Sequence, residues 1–169
     1  VELMGRNAGW IALMAGMAGG ADMILVPEIR FTMDDVCQDL KARYMAGKKF
    51  SIVVVAEGTH HEDIADTAVL ECNRDECGHE KFVGVGNLLG KELEYRLSIE
   101  TRVTVLGHVQ RGGTPTAFDR VLATRFGVSA IEQIVAGNTG YMVSLQGTRI
   151  GIVPLRDVAS RIKPVNPDL

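Results

Sequence analysis

Three short stretches carry residue types suited to a phosphorylated, hydroxylated molecule. Met4-Gly5-Arg6 stands just before a helix-like segment. Glu57-Gly58 follows an apolar run, Ser51 to Ala56. His108-Val109-Gln110-Arg111 follows another, Arg102 to Leu106, and is closed by Gly112-Gly113. A carboxylate accepts hydrogen bonds from sugar hydroxyls, and a histidine donates to or accepts from a phosphate or hydroxyl. The planar fork of arginine matches phosphate oxygens. A helix N-terminus offers free N–H groups and partial positive charge, which attract anions. On type and spacing alone, Glu57 and Arg111 also fit solvated loop charges, and His108 a histidine at a sheet edge.

What must position these residues is a set of strand ends. Ser51 to Ala56 is continuous and rich in β-branched residues, the pattern of a parallel strand covered on both faces. Met23 to Val26 and Arg102 to Leu106 read as further strands. Helices are expected over 7–18, with Trp10, Ile11, Leu13, Met14 and Met17 mostly on one face. A second follows the cap Thr32, with Met33, Val36, Cys37, Leu40 and Tyr44 inward. A third runs from Val85 to about residue 98. A long one opens at Thr114-Pro115, with a core face of Phe118, Val121, Leu122, Phe126, Ile131, Ile134 and Val135. Tyr141 to Leu145 and Arg149 to Val153 read as a hairpin, followed by a short helix near 155–161. The alternation argues for an α/β sheet, whose ligands bind beyond the carboxyl ends of the strands. Residues 58–82 are polar and irregular and read as an insertion.

The bulk properties narrow the class. The 169 residues carry a net charge of −3, so nucleic acid is not a favoured partner. No apolar run reaches the roughly 18 residues of a membrane span. The start reads as no secretion signal, and a first residue other than Met suggests a piece of a longer chain. Three cysteines (Cys37, Cys72 and Cys77) form no disulfide framework and read as reduced thiols of the cytoplasm.

Weaker signals have plainer explanations. Cys72-x4-Cys77-x-His79, with His60-His61 upstream, has zinc-type ligands at loose spacing. A polar insertion with incidental ligands fits better, so no metal site is expected. Gly84-x-Gly86-x3-Gly90 departs from the dinucleotide fingerprint and reads as helix packing. Gly16-Met17-Ala18-Gly19-Gly20 reads as a close-packed helix end, and Asp22 and Lys48 as solvated charges.

Taken together, "MGRNAGWIAL", "AGGADMILVPE", "VVVAEG" and "ETRVTVLGHVQRGGTPTAFDR" resemble the second half of a 6-phosphofructokinase. The similarity runs to about residue 150, less closely across 58–82. It implies phosphoryl transfer to the 1-hydroxyl of fructose 6-phosphate, a glycolytic reaction, on a three-layer Rossmann-like parallel sheet flanked by helices. It also implies domains: 1–112 for the sugar phosphate, 113–154 packing on the first half of such an enzyme, and 155–169 as a tail.

The resemblance assigns roles. Met4 and Gly5 line the sugar pocket, and Arg6 sits near the transferred phosphoryl group as the catalytic arginine. Glu57 binds sugar hydroxyls. His108 and Arg111, with Val109 and Gln110 between them, lie on the 6-phosphate side. Arg102 reaches the 6-phosphate of a neighbouring subunit, implying a homo-oligomer, a tetramer or dimer. Gly20, Asp22 and Lys48 map to an allosteric effector pocket, where Ala46 replaces a second lysine. The wording of "GRNAGWIAL" and "AEG" leans toward the branch with pyrophosphate-using and mixed-donor enzymes. The Gly-Gly-Asp-Gly donor loop and the Thr-Ile-Asp-Asn-Asp element of the catalytic base do not occur in these residues. Mg²⁺ with ATP or pyrophosphate is therefore expected of the full-length enzyme, and no cofactor or turnover of this chain alone. A non-catalytic sugar-phosphate or effector-binding module is the alternative.

Overall fold

The computed structural model describes residues 1–60 and 84–166. Two compact units divide the chain. One holds Val1–Arg111 with the C-terminal stretch from Pro164, and the other holds Gly112–Lys163.

The first unit is built on β1 (Glu2–Leu3), β2 (Met23–Leu25) and β3 (Val53–Ala56), in the order β1-β3-β2. Both pairings are parallel: Leu3 lies opposite Ala56, and Leu25 opposite Val55. Successive side chains of a strand face opposite ways, so β3 feeds two cores. Val54 and Ala56 pack with Leu3, Val26 and Ala12 of α1 (Trp10–Gly19). Val53 and Val55 pack with Met33, Val36, Cys37 and Leu40 of α2 (Met33–Met45) and with Val85, Leu89 and Leu93 of α3 (Val85–Leu97). The result is the three-layer α/β arrangement expected.

Local chemistry sets the helix ends. Thr32 caps α2, its hydroxyl accepting from the Asp35 N–H at 3.1 Å while Asp35 reaches back to the Thr32 N–H at 3.2 Å. Gly20 closes α1 in the left-handed conformation, with φ +69°. The α1 N-terminus has no cap of its own; Glu28 takes the Gly9 N–H at 3.0 Å and places negative charge there. The same carboxylate accepts from the Val165 N–H at 2.8 Å, and Val165 is buried.

Several expectations are corrected. The face of α1 that meets the sheet consists of Ala12 and Gly16, while Ile11, Met14 and Met17 are exposed. Small residues let the helix approach closely, since a Cβ on Gly16 would lie 2.7 Å from Ile24 Cδ1. Tyr44 is exposed at the end of α2. Arg102 to Leu106 is not a full strand. It meets β1 by one parallel bridge, Glu2 to Val105, with hydrogen bonds from Glu2 N–H to Thr104 O and from Leu106 N–H to Glu2 O. A two-residue β1 offers no longer ladder. Asp22 is not simply solvated: it pairs with Arg43 and accepts from the Ile52 N–H at 2.8 Å. The glycines of α3 do serve packing, because a Cβ on Gly90 would collide with Val103 Cγ2.

The second unit has α4 (Ala117–Val135), the antiparallel hairpin of β4 (Tyr141–Gln146) and β5 (Arg149–Pro154), and α5 (Leu155–Ala159). The helix starts at Ala117, later than Thr114-Pro115, because Thr116 and Asp119 form a capping box. The hairpin turns at Gly147, with φ +62°. No residue of α4 is buried; Phe118, Ile131 and Ile134 stand over 60% exposed. Within the unit α4 packs on the β4–β5 hairpin, yet most of its expected core face stays exposed, with Leu122 and Phe126 partly shielded.

Candidate active site

Register brings the three chemical stretches to one end of the sheet. β1 runs out at Leu3 into Met4-Gly5-Arg6, and its neighbour β3 runs out at Ala56 into Glu57-Gly58. On the other side of β1, the bridge segment runs out past Leu106 into Gly107. All run parallel, so these loops leave the same edge. Glu57 and Gly107 are separated by two strand spacings, about 10 Å.

The first loop is a tight turn closed by the Ala8 N–H to Gly5 O bond at 3.1 Å. Arg6 adopts φ +50°, a left-handed conformation uncommon for a residue with a side chain. Glu57 supports it: its Oε1 accepts from the Gly5 N–H at 3.2 Å and the Arg6 N–H at 3.0 Å. The arginine side is exposed while Met4, Gly5 and Glu57 are half-buried.

The third loop is a 3₁₀ turn, Gly107–Arg111. Residues three apart eclipse in such a turn, which puts His108 and Arg111 on one face. Gly107 enters it at φ +51°. Gln110 folds back, its Nε2 donating to Gly107 O at 3.2 Å, while Val109 is 80% exposed.

Other expected residues lie elsewhere. Arg102 opens the bridge segment, toward the amino ends of the strands, so it does not join His108 and Arg111. Its side chain is 87% exposed and its Nε donates to Glu100 at 2.9 Å. It borders a hollow of about 340 Å³ with Lys48, Ile52 and Leu97. Gly20, Asp22 and Lys48 precede β2 and β3, again at the amino ends. The cysteine–histidine group of 61–83 lies outside the described residues. Among the described residues, no group of three or more His, Cys, Asp or Glu could hold a metal ion.

Sequence reasoning passed over Thr59. Its N–H closes a turn onto Ala56 O at 3.0 Å, and its buried hydroxyl donates to Leu25 O at 3.3 Å. A hydroxyl just after a strand has many uses, and only the acceptor on β2 reveals this one.

Loops that leave the carboxyl edge of a parallel sheet are where α/β proteins of the doubly wound class bind their ligands, and the fold is of that class. Residues 1–134 match the family model described as Phosphofructokinase. The chain belongs to the phosphofructokinase family. It is 54% identical over 166 residues to an ATP-dependent 6-phosphofructokinase of Mycobacterium leprae, covering 98% of this chain and 48% of that protein. It is 50% identical over 169 residues to a pyrophosphate–fructose 6-phosphate 1-phosphotransferase of Streptomyces coelicolor, covering 100% and 49%. The chain thus spans about half the length of the curated relatives it matches.

Solved structures agree on the fold. Phosphofructokinase of Pichia pastoris in the T-state gives a TM-score of 0.72 at 36% identity, covering 92% of this chain and 16% of that one. The pyrophosphate-dependent phosphofructokinase of Marinobacter aquaeolei gives 0.75 at 26% identity, covering 98% and 41%.

Proposed function

We propose that this chain supplies the sugar-phosphate half of a 6-phosphofructokinase, which transfers a phosphoryl group to the 1-hydroxyl of fructose 6-phosphate. The observation that carries the reading is that two strand ends and the bridge segment leave one sheet edge side by side, the first two loops joined by Glu57. Arg6 offsets charge on the transferred group in the transition state, where fixed donors are most effective. Met4, Gly5 and Glu57 face the sugar. His108 and Arg111, on one face of their turn and flanked by Val109 and Gln110, take the 6-phosphate.

The donor, ATP or pyrophosphate, binds with Mg²⁺ to the other half of the enzyme. Among the described residues of this chain no group of three or more His, Cys, Asp or Glu could hold the metal. Arg102, exposed and remote from Arg111, would exchange its pairing with Glu100 for the 6-phosphate of a second subunit in a homo-oligomer. Gly20, Asp22 and Lys48 remain the effector-side residues of this reading, with Asp22 already held by Arg43 and the Ile52 amide. No helix among the described residues is long and apolar enough to cross a membrane, and the glycolytic reaction belongs in the cytoplasm.

Complementation tests the reading. The chain alone should bind fructose 6-phosphate weakly and form no fructose 1,6-bisphosphate. Adding the first half of the enzyme should restore turnover. Binding without rescue would make it a non-catalytic module instead.

A further inference from the structure

Two turns meet backbone to backbone beneath the proposed catalytic arginine. One runs from Gly5 to Ala8, with Arg6 at its left-handed position. The other runs from Ala56 to Thr59, with Glu57 and Gly58 at its centre. The Glu57 carboxylate grips the first turn from one side through the Gly5 and Arg6 amides. On the other side Gly58, buried, faces the Arg6 carbonyl: a Cβ there would overlap Arg6 O and lie 2.6 Å from Arg6 C. Thr59 ties the second turn to the end of β2 through Leu25 O.

We infer that Gly58 is a positioning residue for Arg6, fixing the backbone from which the guanidinium reaches the transferred phosphoryl group. The inference rests on the functional reading above only for the role of Arg6. A left-handed backbone at a residue with a side chain persists where its surroundings over-determine it. Here the carboxylate supplies attraction and the bare Cα supplies room. The neighbour of Gly58 is backbone, not a flexible side-chain tip, so an added methyl displaces the turn. Glu57 and Gly58 therefore divide the work. The first grips the turn through its carboxylate, and the second leaves room for the Arg6 carbonyl and the Asn7 amide that follows it.

The test is Gly58→Ala in the full-length enzyme. A displacement near 1 Å at a catalytic group lowers turnover by about 100-fold. We expect kcat to fall by that order while the KM for fructose 6-phosphate stays within about threefold. Thr59→Val, which removes the tie to Leu25 and keeps the shape, should give a smaller loss in the same sense. A crystal structure of Gly58→Ala should show the Arg6 backbone moved. An unmoved Arg6, an unchanged kcat, or equal damage to kcat and KM in both variants overturns the inference. If the wild-type enzyme does not phosphorylate fructose 6-phosphate, the functional reading fails, and the position of Arg6 in the variant still decides the structural one.

Discussion

The buried carboxylate of Glu2 accepts the backbone N–H of Gly86 at 2.8 Å. That bond joins the first residue of β1 to the first turn of α3, where the helix presents free donors and partial positive charge. The backbone of Glu2 also bonds Thr104 and Leu106. One residue therefore sets the helix, the strand and the segment that leads to His108.

Replacing Glu2 by Ala should destabilise the fold by about 1–3 kcal/mol, since it leaves a buried amide without an acceptor. Glu2→Gln should recover part of that loss. Urea unfolding of both variants measures it, and equal stability of Glu2→Ala and wild type would refute the link.

Gly90→Ala sets two effects against each other. Alanine favours a helix over glycine by about 1 kcal/mol. The collision with Val103 costs about 1–3 kcal/mol if the segment cannot retreat. Val103 lies in the segment tied to Glu2 by backbone bonds at Thr104 and Leu106, so the penalty should win and the variant should unfold at lower urea. A more stable variant would mean that this segment yields easily.

Arg6→Ala in the full-length enzyme should lower kcat by about 100- to 1000-fold with little change in the KM for fructose 6-phosphate. His108→Ala and Arg111→Ala should act the other way, raising KM by about tenfold to a hundredfold. Steady-state kinetics at saturating donor separates the two patterns. A large KM effect from Arg6→Ala would place it on the sugar side instead.

Asp35 and Asp119 have pKa values held below the ordinary 3.8, first by the hydroxyls of Thr32 and Thr116 and then by the amides of the same residues. A depressed carboxylate stabilises the fold fully above its unfolded value, and the contribution is lost as pH falls through the lower folded value. The caps of α2 and α4 should therefore hold at pH 5 and weaken only below about pH 4. Circular dichroism through an acid titration reads this. Thr32→Ala should cost about 1 kcal/mol at neutral pH.

Much of this architecture is legible in the residues themselves. Thr32 announces α2, and the β-branched run before Glu57 announces a doubly covered strand. Resemblance motifs suggested the roles proposed for Arg6, Glu57, His108 and Arg111, and the register places their loops at one edge. Less was legible where backbone proximity decides. Ala12 and Gly16 beat Ile11 and Met14 for the sheet because closeness to Ile24 matters more than side-chain hydropathy. Asp22 looks like any surface acid until the fold brings Arg43 and Ile52 to it. The left-handed Arg6 leaves no mark in composition, because what holds it lies some fifty positions downstream.

The bond between Glu28 and Val165 has a topological consequence. The chain leaves the first unit after Arg111 and comes back near Pro164, so the second unit is an excursion and not an appendage. A protease nick at the outward crossing leaves the trailing piece docked by its tail, beside the start of α1. Releasing the excursion takes a cut at each crossing, and Val165 would stay behind on the sheet domain.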